Sequence, residues 1–428
     1  MGEKTMFGAF LVVSGILLGQ TAPTPPAAEL KLEVRRLVRQ LNAPRLADRN
    51  AAEERLLGLG PAVLEHLPTG GENTPAEVEQ RVARVRQVLQ QKVARSAAQA
   101  STVTLRGNLP LSDIIAALEE QTGNTIVGIQ GFNPRALDLT LEVALDRTPF
   151  WQALDQVADR ANLTVYNYGP EKAVTLRPRV EGLVPRVGRA CYQGPFRFEP
   201  SQIEAVRNLR APTQQSLNLT LEVAWEPKLS PISLLLPMDR IEAVDENGNR
   251  LTVDGQLAEL EVPVTADAMA SELRIPLVLP PRSVKQIARL KGAMTALLPG
   301  KIETFRFKDL EQAKEVEQRI AGVTVMLEGA RKNNEVWEVR IRVRFDDAGQ
   351  ALQSHRNWIF DNEVSLQDPD GKSITWGSYE TTRQTENEVG LAYLFSVESL
   401  KGFTLLYKTP GVILTTEIPY EIKDVPLP

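Results

Sequence analysis

The spacing of apolar positions changes character along the chain. From Glu29 to Ala98 it is helical: Leu30, Val34, Leu37, Val38 and Leu41 form one stripe, and Asp48–Leu57 is a second amphipathic stretch, stopped by Gly58 and Gly60. Pro61–Leu67 reads as a short third helix. A fourth starts at Thr74-Pro75, a cap followed by a first-turn proline, with Val78, Val82, Val85, Val88 and Leu89 on one stripe. Between Ser101 and Pro178 strand and helix periods alternate. Thr102–Leu105 is a strand, and Leu109-Pro110 opens a helix with Leu111, Ile114, Ile115 and Leu118 inward, closed by Gly123. Thr125–Gly128 is strand-like. Leu137–Val143 alternates strictly, so Leu137, Leu139, Leu141 and Val143 share one face and Asp138, Thr140 and Glu142 the other. Thr148-Pro149 begins a second helix with Phe150, Leu154, Val157 and Ala158 inward, and Leu163–Tyr168 with Ala173–Leu176 closes the segment as a hairpin. The predicted order is β-α-β-β-α-β-β.

Two of these segments resemble known families. Arg49, Ala52, Leu56, Leu59-Gly60, Ala62 and Leu67 follow a pattern that resembles a HEAT-type helical repeat unit, and one such unit needs a neighbour to bury its apolar face. Val103-Thr-Leu105 ahead of Leu109–Ile115, Leu118 with Gln121-Thr-Gly123-Asn124, and Leu139–Val143 with Thr148–Leu154 together resemble the short N-terminal module of secretins and TonB-dependent transducers, the STN or N0-type domain. This covers about a fifth of the chain. The resemblance implies a protein-interaction module of the periplasm without catalytic residues. A secretin or receptor would continue into ring modules or barrel strands. Here about 250 residues of different character follow, so pore and receptor functions are not carried over.

From Val180 onward the chain is rich in alternating strands, such as Leu217–Val223 and Val336–Phe345, and contains an internal repeat. Asp245–Leu251 corresponds to Gln367–Ile374, Pro299–Thr304 to Pro410–Thr415, and Phe305–Leu310 to Tyr420–Val425, at offsets of 123, 111 and 115 residues. Copies of this length have the size of immunoglobulin-like sandwiches. Segments 190–308 and 320–424 are therefore expected to superpose, with Phe305-Arg-Phe307 and Tyr420-Glu-Ile422 as equivalent final strands. Leu310–Gly322 between them reads as a short helix or linker. The fold class expected is multidomain α+β. It comprises a small helical unit at 29–98, a βαββαββ module at 101–178, and two tandem immunoglobulin-like β-sandwiches at 185–308 and 320–428.

Composition sets the compartment and removes chemistries. The chain has 428 residues, 43% of them hydrophobic and 24% charged, with a net charge of −5, which excludes a disordered tail protein and a polytopic membrane protein. Met6–Gly19 is an uncharged run of fourteen residues, followed by a proline-rich stretch. A bilayer span needs about 20 residues, so 1–22 reads as a signal peptide, leaving no stable membrane span after its removal. The expected location is the periplasm or outside the cell, in a bacterial envelope. Cys191 is the one cysteine, and His66 and His355 are the only imidazoles, so a disulfide scaffold is excluded and a Cys/His zinc cluster has three candidate ligands at most. Ser354 beside His355 points to the opposite face of a strand. Gly58-Leu-Gly60 lacks the third glycine and preceding strand of a dinucleotide loop. Asp245–Asn249 and Asp368–Gly371 lack the sixth-position glycine and the bidentate Glu of a calcium loop, Gly248 falling at the fourth position from Asp245 and Gln256 at the twelfth, and read as hairpin turns. The basic residues of 29–98, twelve against nine acidic ones, are interleaved with acids and read as a solvated face, not as a nucleic-acid surface.

No catalytic, cofactor-binding or metal-ligating residue is assigned, and no cofactor is expected. Trp358 and Trp376 flank an Asp/Asn-rich stretch and are candidates for an exposed ligand or partner surface, together with Asp138, Thr140 and Glu142. The expected function is non-catalytic: an exported envelope protein that engages other envelope proteins through the STN-like module and the sandwiches. The alternatives are a carbohydrate- or small-ligand-binding protein using sandwich loops, and a hydrolase without a recognisable motif. Oligomeric state is open.

Overall fold

The computed structural model describes residues 27–68, 75–127, 139–169, 172–211, 213–254, 258–265, 267–346, 348–349, 351–353 and 358–428, apart from the side chains of Ala27, Ala28, Ala94 and Ala97. The expected signal peptide, Thr74, Leu137, Asp138 and His355 lie outside these residues. Strands make up 46% and helices 22%, in several sheets, as a multidomain α+β fold requires. The chain divides into two compact units, 1–85 and 86–428. Among the described residues, no helix is long and apolar enough to cross a membrane.

The first unit is helical. Helix α1 (Ala27–Gln40) buries Leu30, Val34 and Leu37, and Leu41 continues the same row. Helix α2 (Leu46–Gly58) buries Ala52 and Leu56, and a 3-10 turn, Pro61–Glu65, buries Val63 and Leu64. Gly60 ends α2 at φ +80°, a left-handed conformation that a side chain would strain, and Pro61 starts the next turn. Helix α3 (Ala76–Ala97) begins here with Val78, Val82 and Val85 buried. Its row then passes from Val85 to Leu89, four residues on, so Val88 stands off the expected stripe and is exposed. Glu53 of α2 is buried against Arg81 (2.5 Å) and Arg84 (3.3 Å) of α3.

The second unit opens with a small α+β module. Its elements are β1 (Thr102–Pro110), α4 (Leu111–Thr122), β2 (Ile126–Val127), β3 (Thr140–Pro149), α5 (Phe150–Arg160), β4 (Leu163–Tyr166) and β5 (Val174–Pro178). Among the described residues, β1 and β3 pair with each other alone, antiparallel, and β2, β5 and β4 form a second sheet in that spatial order. Gly123 closes α4 at φ +69° and donates its N–H to Glu119. Leu111, Ile114 and Leu118 of α4 and Phe150, Leu154 and Val157 of α5 form one core with Leu141, Val143 and Leu145 of β3. Two expected core positions differ. Ile115 sits at the rim of the core, and Leu139, just beyond the last ladder pair of Pro110 with Thr140, is 41% exposed. Leu118 and Leu154 are fully buried. Leu118→Ala and Leu154→Ala are each expected to cost about 2–5 kcal/mol, measured by urea unfolding of the full chain; a neutral Leu154→Ala would show the helix register to be wrong.

Two pairs of sheets follow, each closing on one core. In the first, Phe196–Arg207 and Gln215–Trp225 form a long hairpin flanked by Cys191–Gln193 and Ala270–Leu277. In the second, Val323–Asn333 and Val336–Phe345 form the hairpin, flanked by Val316–Ile320 and Glu388–Phe395. The opposite sheets are built on Gln286–Pro299 beside Glu242–Asp245, and on Thr404–Pro410 beside Val364–Gln367. The repeated turns also coincide in detail. Asp245 Oδ1 accepts the N–H groups of Asn247 and Asn249, and Asp368 Oδ1 those of Asp370 and Lys372. Gly248 and Gly371 take φ values of +83° and +86°. The Asn249 amide and these backbone donors hold the Asp245 carboxyl below its ordinary value.

The expected final strands correct the domain division. Ile302–Phe307 does not fold back on Gln286–Pro299. It pairs antiparallel with Thr404–Pro410, Ile302 opposite Pro410 and Phe307 opposite Leu405. Ile413–Pro426 pairs along its whole length with Gln286–Pro299, Ile413 opposite Pro299 and Pro426 opposite Gln286. The two sheet pairs thus exchange these strands, and each exchanged strand lies at an edge, beside the strand that ends at the other Pro-Gly. The expected segments 185–308 and 320–428 are therefore not the folded bodies: the first draws on 191–299 and 413–426, the second on 302–410. The reason is local. Neither Gly300 nor Gly411 takes a positive φ, so neither Pro-Gly makes the primed turn of a two-residue hairpin. The chain runs straight on, and the crossing is held by Gly300 N–H to Val412 O at 2.6 Å and Gly411 N–H to Lys301 O at 2.9 Å. The expected helix or linker at Leu310–Gly322 instead contains the strand Val316–Ile320. Ala321 and Gly322, at φ +57° and +79°, supply a primed turn into Val323.

Candidate interaction surfaces and a buried polar junction

The β1–β3 ribbon shows the module's polar face. Thr104, Arg106, Asn108, Thr140, Glu142 and Ala144 are exposed, while Leu141, Val143 and Leu145 face the core, as the alternation requires. Thr140 and Glu142 thus lie where the sequence places them, and Asp138 lies outside the described residues. Among the described residues, no strand pairs with β3 on the side away from β1. There the Glu142 carbonyl accepts a hydrogen bond from the exposed Arg160 at the end of α5. Thr140, Glu142, Ala144 and Arg160 border a shallow recess along this open edge.

The two tryptophans are half-buried and belong to different groups. Trp358 starts the turn Trp358–Asp361, donates its indole N–H to Ala351 O at 2.6 Å and meets Phe345 edge-on at 5.7 Å. Trp376 packs edge-on against Tyr379 at 5.3 Å and beside Tyr393 at 5.9 Å, and Tyr379 in turn stacks on Phe360. Trp376 is therefore part of an aromatic cluster, whereas Trp358 lines a cleft that includes residues of both sheet pairs.

Sequence reasoning did not find the most heavily charged part of the interior. Arg197 lies between Phe196 and Phe198, and its side chain is fully buried. Its guanidinium reaches Asp155 of α5 at 3.0 Å and Glu222 at 2.9 Å, and lies 4.6 Å from the centroid of the Trp151 ring. Tyr192 donates its hydroxyl to Asp155, Asn167 its amide to Glu222, and Trp151 its N–H to Pro195 O. Arg186 links Glu199 (2.6 Å) to Thr164 and the Val165 carbonyl. Burial opposes the charge on Arg197, but Asp155, Glu222 and Glu199 outweigh it and hold the guanidinium above its ordinary value. Asp155 has a smaller share of a cation divided among three acids. For it burial dominates and pushes the carboxyl up, against the pull of Arg197 and Arg186.

A second knot lies nearby in sequence. The buried Glu226 carboxylate accepts the Ser101 N–H (2.8 Å), the Ser101 hydroxyl (2.5 Å) and the Asn124 amide (2.9 Å), with Lys228 at 3.4 Å. Both knots join the α+β module to the first sheet pair, and their carboxylates are taken up by fixed donors. That is the arrangement of a lock; a general acid or base must face a substrate. The signals were faint: an arginine framed by phenylalanines, and an acid following the apolar run that ends in Trp225.

His66 is half-buried after the turn Pro61–Glu65, far in sequence from the other groups named here. Among the described residues, no group of three or more His, Cys, Asp or Glu could hold a metal ion. Burial pushes the Cys191 thiol up, away from the reactive thiolate. Compared with known proteins, the chain matches no family model, no curated protein and no solved structure.

Proposed function

We propose that this chain is a non-catalytic, exported envelope protein that binds other proteins. In this reading 101–178 is an STN-like module, 29–98 is a HEAT-like unit, and the sheet pairs are two related immunoglobulin-like sandwiches with exchanged strands. The observation that carries it is the edge of β3 left open among the described residues, whose polar residues Thr140 and Glu142 lie over a packed core. An open edge beside a packed face suits the addition of an extended segment from a partner, because backbone hydrogen bonds supply affinity and alternate side chains supply specificity. The buried ionic junction supports the same reading, since it fixes the module on the first sheet pair and so presents the edge in one orientation.

The test uses the full chain as bait in envelope extracts. Glu142→Lys and Thr140→Arg are expected to leave unfolding within about 0.5 kcal/mol of the parent, as surface changes do, while removing the captured proteins. Trp376→Ala, in the aromatic cluster, should leave capture intact. Capture of the same proteins by both β3 variants would exclude this edge as the binding surface.

A further inference from the structure

The cleft beside the strand crossing has the make-up of a ligand site. Its volume is about 510 Å³, within the range of small-molecule pockets, and its lining draws on both sheet pairs and the crossing itself. One wall is apolar, with Pro299, Ile302 and Pro410 at the crossing, and Trp358 contributes to the lining. The indole N–H of Trp358 is spent on Ala351, so this residue offers the cleft carbon surface and no donor. Next to it, Asn362 spends its amide N–H groups on the Tyr407 hydroxyl (2.8 Å) and Thr409 Oγ1 (3.0 Å). Its Oδ1 is thereby turned into an acceptor of fixed orientation. The neighbouring Asp361 is exposed and adds a carboxylate, which accepts hydrogen bonds only. Lys172, which donates to Ser230 at 2.7 Å, keeps further ammonium N–H groups for a ligand.

We infer that this cleft binds a neutral saccharide. Adjacent acceptors on Asp361 and Asn362 suit the vicinal hydroxyl donors of a sugar ring, Lys172 suits its oxygen acceptors, and Trp358 with the prolines suits its C–H face. Two other chemistries fit less well. An anionic ligand would meet the carboxylates of Asp361 and Glu261, and a purely apolar ligand would leave Asp361 and Asn362 without the hydrogen bonds that water gives them. The inference does not depend on the β3 edge, and either can fail without the other.

The test titrates the full chain with cellobiose, maltose and N,N′-diacetylchitobiose at up to millimolar concentration, read by calorimetry and by saturation-transfer NMR. Saturable binding of at least one is expected. Asp361→Ala should weaken it about tenfold, as loss of a charged hydrogen-bond acceptor does, without changing the melting temperature. Ile302→Trp, at a position 51% exposed in the cleft, should block binding by filling the site. Trp376→Ala, outside the cleft, should bind as the parent does. Absence of binding to all three sugars overturns the inference. So does binding that survives both cleft variants, or that is abolished by Trp376→Ala.

Discussion

Removing residues 412–428 is expected to unfold the first sheet pair and to leave the second one standing. Ile418, Tyr420, Ile422 and Val425 are buried in the core of the first pair, not of the second. Each is worth about 1.5–3 kcal/mol of burial, and together they rival the whole stability of an ordinary domain, about 5–15 kcal/mol. Tyr420 contributes most by shape. Its ring covers Gly292, its partner across the ladder, and stacks on Phe198 at 4.8 Å. The truncation would also bare the edge of Gln286–Pro299 along its length. Hydrogen exchange should show protection lost over Gln215–Trp225 and Gln286–Pro299 and retained over Val323–Phe345. Had the terminal strand belonged to its own repeat, the pattern would be reversed, and that outcome would exclude the exchange.

Arg197→Met is expected to destabilise the full chain by about 3–5 kcal/mol, because it leaves the buried Asp155 and the half-buried Glu222 without their cation. Adding Asp155→Asn removes one of the stranded charges and should recover part of the loss, giving a coupling of about 0.5–3 kcal/mol in a double-mutant cycle by urea unfolding. The variant should also loosen the α+β module from the first sheet pair. The stretch between them, Glu181–Arg189, is largely exposed and would then be cut faster by a protease. Strict additivity of the two substitutions would show that Arg197 and Asp155 act independently.

How far the sequence carries the fold can be judged element by element. The order of strands and helices from Thr102 to Pro178 is legible, because helical and strand periods differ and Gly123 marks a helix end. The paired turns at Asp245 and Asp368 are legible, because Asx turns need those residue types. The exchange is not, because alternation in Phe305–Phe307 or Tyr420–Ile422 decides which face a strand buries and says nothing of the strand beside it. Only the straight backbone at Gly300 and Gly411 separates a crossing from a hairpin. The exposed position of Thr140 and Glu142 follows from alternation, whereas that rule turns Arg197 away from the core its phenylalanine neighbours enter. Trp151 and Asp155, brought by a helix some forty residues earlier in sequence, cover that side.

The exchange also sets an order on biosynthesis. The first sheet pair begins near Cys191, yet its long strand Gln286–Pro299 has no partner on one flank until Ile413–Pro426 has left the ribosome. By then the whole second sheet pair has been made, with its own first strand, Ile302–Phe307, already in hand. The second half can therefore close before the first, and a nascent chain stopped short of its end carries an open sheet edge for a chaperone to hold.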